Sequence, residues 1–103
     1  MKQTMEINIQ AVHFDATEKL KEFATKKVEK LSKSYEDIKK VEVQMKLVKP
    51  QTALNKEVSL SVAIPGGTQY VEKTCDTFEE SIDLCVDAMR VKLTKMKEKT
   101  RNH

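Results

Sequence analysis

The side chains in this sequence that could do chemistry are cations, and they come in two groups. Residues 17–33 carry Lys19, Lys21, Lys26, Lys27, Lys30 and Lys33 against three glutamates. Residues 90–103 carry Arg90, Lys92, Lys95, Lys97, Lys99 and Arg101 against Glu98 alone. Between them, residues 77–89 hold Glu79, Glu80, Asp83 and Asp87 and no base. The chemistry such groups offer is binding to polyanions, since Lys and Arg donate to phosphate and cannot accept a proton at neutral pH. On a helical wheel at about 100° per residue, Lys19, Lys26, Lys30 and Lys33 fall within about 60° of one another. Glu18, Glu22 and Glu29 form a separate, narrower stripe. A merely solvated surface would interleave the signs. In the later group Lys92, Lys95 and Lys99 line one flank of the apolar arc, and Arg90, Lys97 and Arg101 line the other. Two helices side by side with basic flanks make a positive groove, the electrostatic footprint of a nucleic-acid binder. The competing reading is a solvated charged face. For the second helix, acids at the N-terminus and bases at the C-terminus also complement the helix dipole, which does not explain the first.

Other chemistries find no constellation. His13 and His103 are the only histidines, too few and too far apart for a metal site. Cys75 and Cys85 lie ten apart without a CxxC and read as buried apolar thiols. Gly66-Gly67 is a turn, because no Gly-Lys-Ser/Thr follows it. Ser81 has no neighbouring base and opens a helix. The carboxylates cluster at helix N-termini, where capping and the dipole account for them. Nothing supports a nucleophile, a general base or a redox centre. Of the five aromatics, Phe14, Phe23, Phe78 and Tyr35 are needed for the core, which leaves no platform for base stacking.

The elements that position these cations follow from periodicity. The chain has 103 residues, one domain's worth, with 39% apolar and 34% charged residues and a net charge of +3. That composition folds and is not disordered. No apolar run approaches the roughly 20 residues of a membrane span. The start of the chain has no signal-peptide core, and two cysteines make no disulfide framework, so a cytoplasmic location is expected. With two Gly and two Pro, most of the chain should be regular structure.

Met5 to Val12 alternates apolar and polar residues and predicts a strand. Asp15-Ala16-Thr17-Glu18 resembles a capping box, with Thr17 an equally good cap. Leu20, Phe23, Ala24, Val28 and Leu31 then recur at helical spacing, predicting a helix over about 17–34. Lys40 to Val48 and Glu57 to Ile64 alternate again, separated by the break Lys49-Pro50-Gln51-Thr52. Pro65-Gly66-Gly67 turns the chain into a weaker strand, Thr68 to Cys75, whose inner face is contested between Tyr70 and Val71. Phe78, Ile82, Cys85, Val86, Met89, Leu93 and Met96 mark a second helix over about 77–99. The order is β-α-β-β-β-α. The helical crossover makes the first two strands parallel, and the three later strands form an antiparallel meander. A single solvated sheet face places both helices on the other face. The fold class is therefore α+β: a four-stranded mixed sheet with two helices packed on one face.

Lys27 falls inside the apolar arc of the first helix. Its stem either snorkels between the helices or its amine pairs with Asp83 or Asp87. Leu84 and Val91 are apolar on the outer face of the second helix, and scattered exposed apolar residues are normal.

Element order and several motifs resemble the ribosome hibernation-promoting factors, also called ribosome-associated inhibitors or sigma-factor modulation proteins. The motifs are Met5-Glu6-Ile7-Asn8-Ile9, Thr17-Glu18-Lys19-Leu20-Lys21-Glu22-Phe23, Lys27-Val28-Glu29-Lys30-Leu31, Ser81-Ile82-Asp83 and Leu93-Thr94-Lys95-Met96-Lys97-Glu98-Lys99. The resemblance covers Met5 to His103 and implies a fold like a double-stranded-RNA-binding domain with an extra strand. It implies helices that enter the mRNA and tRNA channel of the small ribosomal subunit, bind its rRNA and keep idle ribosomes from translating in stationary phase or stress. Family basic positions carry over to Lys21, Lys27 and Lys30, and to Lys95, Lys97 and Lys99. Ala88 and Val91 stand where the family usually has Lys and Arg. With neither a C-terminal dimerisation domain nor an acidic tail, the short form is expected: one domain over 1–103, monomeric off the ribosome.

The expectation is thus an rRNA-binding translation inhibitor, not an enzyme, with no cofactor, small-molecule substrate or membrane partner. The expected contacts are the twelve cations named at the outset, with the Lys19/Lys26/Lys30/Lys33 stripe and the Lys92/Lys95/Lys99 flank converging on one surface. The alternative is a generic structured-RNA module unrelated to the ribosome. A small α+β enzyme such as an acylphosphatase would want a buried anion-binding Arg in a strand–helix loop, and the only arginines, Arg90 and Arg101, lie late in the last helix.

Overall fold

The computed structural model describes residues 6–12, 14–48 and 55–101, with side chains as far as Lys97. Met5, His13, His103 and the break at residues 49–52 lie outside the described residues, as do the side chains of Lys99 and Arg101.

The elements are β1 (Glu6–Val12), α1 (Glu18–Glu29), a 3-10 turn (Lys30–Lys33), β2 (Lys40–Leu47), β3 (Lys56–Ile64), β4 (Gly67–Cys75) and α2 (Phe78–Arg101). The sheet order is β1-β2-β3-β4. β1 and β2 are parallel, while β2–β3 and β3–β4 are antiparallel. Two-residue alternation decides which face is covered. Val41, Val43 and Met45 pair with Val62, Leu60 and Val58, and all six are buried. They form one core with Leu20, Ala24 and Val28 of α1 and Ile82, Cys85, Val86, Met89 and Leu93 of α2. Both helices therefore lie on one face, as the alternation required. The open face carries the rows Asn8, Glu42, Ser61, Tyr70 and Gln10, Gln44, Ser59, Glu72.

Three local outcomes refine the sequence reading. Thr17, not Asp15, caps α1: its Oγ1 accepts from the Leu20 N–H at 3.1 Å. The first helix is not uniform to residue 34. It tightens into the 3-10 turn at Lys30, where Ser32 Oγ donates to the Glu29 carbonyl at 3.0 Å and competes with regular helix bonding. That turn still buries Leu31 completely. In β4, Val71 wins the inner face because its register partner is Leu60, and Tyr70 stands 50% exposed on the other.

Gly66, with φ of 97°, and Gly67, with φ of 152°, make the β3–β4 turn in backbone conformations that L side chains rarely adopt. α2 is bolted to β3 by two polar side chains. Ser81 Oγ donates to the Lys56 carbonyl at 2.7 Å, and Cys85 Sγ to the Val58 carbonyl at 3.3 Å. Phe14 stacks on Phe78 at 4.5 Å between centroids, which ties the approach to α1 to the start of α2. Ser81 and Cys85 thus hold the helix in place.

Burial pushes the Cys85 thiol up to about 12. The thiolate is the charged form, so the folded state retains a proton that the unfolded chain gives up at an ordinary thiol pKa. This contribution to stability is complete below the unfolded value and is lost as pH rises towards the folded one. Denaturant titrations between about pH 8 and about pH 11 should show the native protein losing stability with pH more steeply than Cys85→Ala. Equal slopes would contradict this.

Candidate nucleic-acid interface

The cations sort by what already holds them. On α1 and its 3-10 turn, Lys19, Lys26, Lys30 and Lys33 are exposed. Among the described residues none of the four has a carboxylate within 4.0 Å, whereas four other bases do. Their Glu neighbours sit on a different stripe, so the periodicity that grouped the lysines also left them unpaired. Lys21 lies 4.0 Å from Glu18, one turn back on the same helix. An exposed pair of that kind contributes well under about 1 kcal/mol and leaves Lys21 free to exchange partners.

Lys27 is held between the helices. Its Nζ lies 2.7 Å from Asp83 Oδ1 and 5.5 Å from the centre of the Phe23 ring. Of the two acids offered by the sequence, Asp83 is the partner. Asp87 instead takes Arg90 at 3.2 Å within α2. On the remainder of α2, Lys95 is exposed and Lys97 half-buried. Lys92 Nζ donates to the Tyr70 carbonyl of β4 at 3.0 Å. Lys99 and Arg101 belong to the last turns of α2.

Two of these contacts orient α2. The Lys27–Asp83 pair marks the side of α2 that meets α1. Arg90 and Lys97 stand seven and fourteen residues after Asp83, close to the same side at about 100° per residue. Lys92 stands nine residues after Asp83, about 180° around the helix, and reaches β4. Within the Lys92/Lys95/Lys99 flank expected to converge with the α1 stripe, Lys92 departs, because its amine is turned to β4. Arg90 and Lys97 lie on the Asp83 side of α2, while Lys92 faces the sheet edge. The physical reason is that α2 lies across β3 and β4, with a different neighbour on each flank. Arg90 and Lys97 add positive charge to the side of α2 whose earlier turns carry Asp83 and Asp87. Such an arrangement binds phosphates and orients a charged backbone.

The opposite face has different chemistry. A shallow pocket of about 160 Å³ is lined by Asn8, Gln10, Glu42, Val43, Gln44, Ser59, Ser61 and Tyr70, with no base among them. Tyr70 OH contacts Ser59 Oγ and Glu72 Oε1, each at 3.0 Å. Glu57 is held above the usual carboxylate range by its hydrogen bond with Glu72, and Glu72 below it by its bonds with Glu57 and Tyr70. With Glu6, Glu42, Glu57 and Glu72 against Lys40 and Lys46, this face is net acidic and does not suit phosphate. The sequence left the inner face of β4 contested between Tyr70 and Val71; the pairing of Tyr70 with Ser61 places Tyr70 outward.

The fold is a small α+β domain, a four-stranded mixed sheet with a helical layer that carries exposed cations on one face. Residues 7–101 match the family described as Sigma 54 modulation protein / S30EA ribosomal protein, and the chain belongs to that family. It is similar to the ribosome hibernation promoting factor of Pseudomonas putida strain KT2440, at 28% identity over 98 residues, covering 95% of this chain and 92% of that one. It is equally similar to the ribosome hibernation promoting factor of Escherichia coli strain K12, at 28% identity over 99 residues, covering 96% and 100%. In three dimensions it resembles a ribosomal subunit interface protein from Coxiella burnetii, with a TM-score of 0.81 at 22% identity, over 90% of this chain and 98% of that one. The N-terminal domain of Thermus thermophilus Protein Y superposes with a TM-score of 0.76 at 20% identity, over 88% and 98%. These two likenesses establish the shared fold.

Proposed function

We propose that this protein is a ribosome hibernation factor, not an enzyme: it binds rRNA of the small subunit in the mRNA/tRNA channel and inhibits translation in stationary phase or stress. The relatives named ribosome hibernation promoting factor support the ribosome as the partner. The observation that carries the mechanism is the row of four exposed lysines on α1 and its 3-10 turn, with no carboxylate in reach among the described residues. Unpaired ammonium groups displace condensed counterions from a phosphate backbone at little cost, because no internal ion pair must be broken first. Lys21, Arg90, Lys95, Lys97, Lys99 and Arg101 extend that contact. Lys27 contributes chiefly by fixing α1 against Asp83, and Lys92 by fixing α2 over β4. Lys dominates over Arg, so the contacts read backbone position and shape, not base sequence. Off the ribosome the protein is a single chain, not an assembly. The cytoplasm follows from the partner.

Sucrose-gradient sedimentation of a stationary-phase lysate tests this reading. The protein should travel with particles containing the small subunit, and adding it to a translating extract should lower protein synthesis. Confinement to the ribosome-free top of the gradient would favour the alternative, a structured-RNA module unrelated to the ribosome.

A further inference from the structure

The two edges of the sheet, β1 and β4, are not alike. β4 is closed to further pairing in two ways. Lys92 Nζ already donates to its outward Tyr70 carbonyl at 3.0 Å. Lys73 pairs with buried Val58, so it stands on the helix-covered face, between buried Val71 and Cys75. A strand laid beside β4 would have to bury that charge, which disfavours it. β1 has neither feature among the described residues. The Glu6 N–H bonds to the Lys39 carbonyl at 3.4 Å, and parallel pairing turns alternate residues towards the neighbouring strand. The N–H and C=O groups of Ile7, Ile9 and Ala11 therefore point out of the sheet. Among the described residues no hydrogen bond occupies them. The side chains of Ile7 and Ile9 are only half-buried, at the margin of the core.

The acidic stripe of α1, for which an rRNA contact has no use, overlooks this edge. Lys27 marks the flank of α1 that meets α2. Glu22 and Glu29 stand about 140° and about 160° around the helix from Lys27, on the flank away from α2. α2 lies over β3 and β4 and α1 over β1, so that flank is on the β1 side. Both glutamates are exposed, and among the described residues neither has a base within 4.0 Å.

We propose that β1 accepts a fifth strand, and that its occupant is an extended lysine- or arginine-rich segment of another protein. Backbone pairing with Ile7, Ile9 and Ala11 supplies the sequence-independent part of the affinity. Side chains of the added strand alternate between faces. On the helix-covered face a long cationic side chain fits best, because its stem lies over Ile7 and Ile9 while its charge reaches Glu22 and Glu29. An acidic segment is repelled there. So is a second copy of this chain, whose own β1 brings the same acidic flank.

The probe is a capped peptide alternating Thr and Lys over about seven residues, added up to about 1 mM to the isotope-labelled full chain. Amide hydrogen exchange at Ile7, Ile9 and Ala11 should slow at least about tenfold on binding, while Tyr70 and Glu72 on the β4 edge stay unchanged. Replacing Glu22→Gln and Glu29→Gln together, both at exposed positions, should leave the fold intact by circular dichroism and weaken binding about fivefold. Methylating every second backbone nitrogen of the peptide, in one of the two phases, should abolish binding although every charge is kept. A peptide with Glu in place of Lys should not bind. Unchanged exchange at β1, equal slowing at β4, an undiminished affinity in the double variant, or equal affinity of the Glu peptide or of both methylated peptides would overturn the proposal.

Discussion

Replacing Lys19, Lys26, Lys30 and Lys33 together by Glu is expected to lower affinity for the small ribosomal subunit by about 10³-fold. At ~0.1 M salt each phosphate contact contributes roughly tenfold through counterion release, so losing three or four reaches that size before any repulsion from the new carboxylates. Stability should hardly change. All four side chains are exposed and carry no ion pair among the described residues, and surface substitutions of this kind cost within about 0.5 kcal/mol each. A matched control reverses Lys39, Lys40, Lys46 and Lys73, which lie off the helices. It changes net charge by the same amount and should cost far less affinity. If both quadruple variants lose binding equally, net charge and not the α1 stripe governs the interaction. If the α1 variant binds as the native protein does, the stripe is a solvated face.

Much of the architecture was legible because each strand buries one face. Val41, Val43 and Met45 can be core only if Glu42, Gln44 and Lys46 are not, and the register then follows from matching inner residues. The same rule weakened in β4, where Tyr70 and Val71 are both apolar enough for the core. Only the pairing of Val71 with Leu60 separates them, and that is a long-range fact. The 3-10 turn at Lys30–Lys33 was not legible, because Leu31 keeps its place in the core through the change of pitch.

For the site, the α1 stripe could be read directly: wheel position alone separates Lys19, Lys26, Lys30 and Lys33 from the glutamates. The relation between helices could not. Wheels place residues around one axis and say nothing of which flank meets which neighbour. Lys27 illustrates this. Its position in the apolar arc announced an interhelical role, but choosing Asp83 over Asp87 needs the packing of α1 on α2. Lys92 is the complementary case. It looked like one more surface cation, yet its amine serves the outward carbonyl of an edge strand, where unpaired backbone groups invite another chain.

The central claim is that a cationic helical surface meets the phosphates of the small subunit, and the salt dependence of binding tests it most directly. Each neutralised phosphate makes log K fall by roughly 0.7–0.9 per decade of salt. With six or more bases engaged, affinity should drop by at least about two orders of magnitude between ~50 and ~300 mM monovalent salt. A free duplex RNA, which offers phosphates to one side of the groove only, should bind much more weakly throughout. Labelled protein titrated against purified small subunits and against the duplex over that range gives both curves. The account predicts a steep linear log–log plot for the subunit lying well above the duplex. A flat response, or equal affinity for the subunit and the duplex, would contradict it.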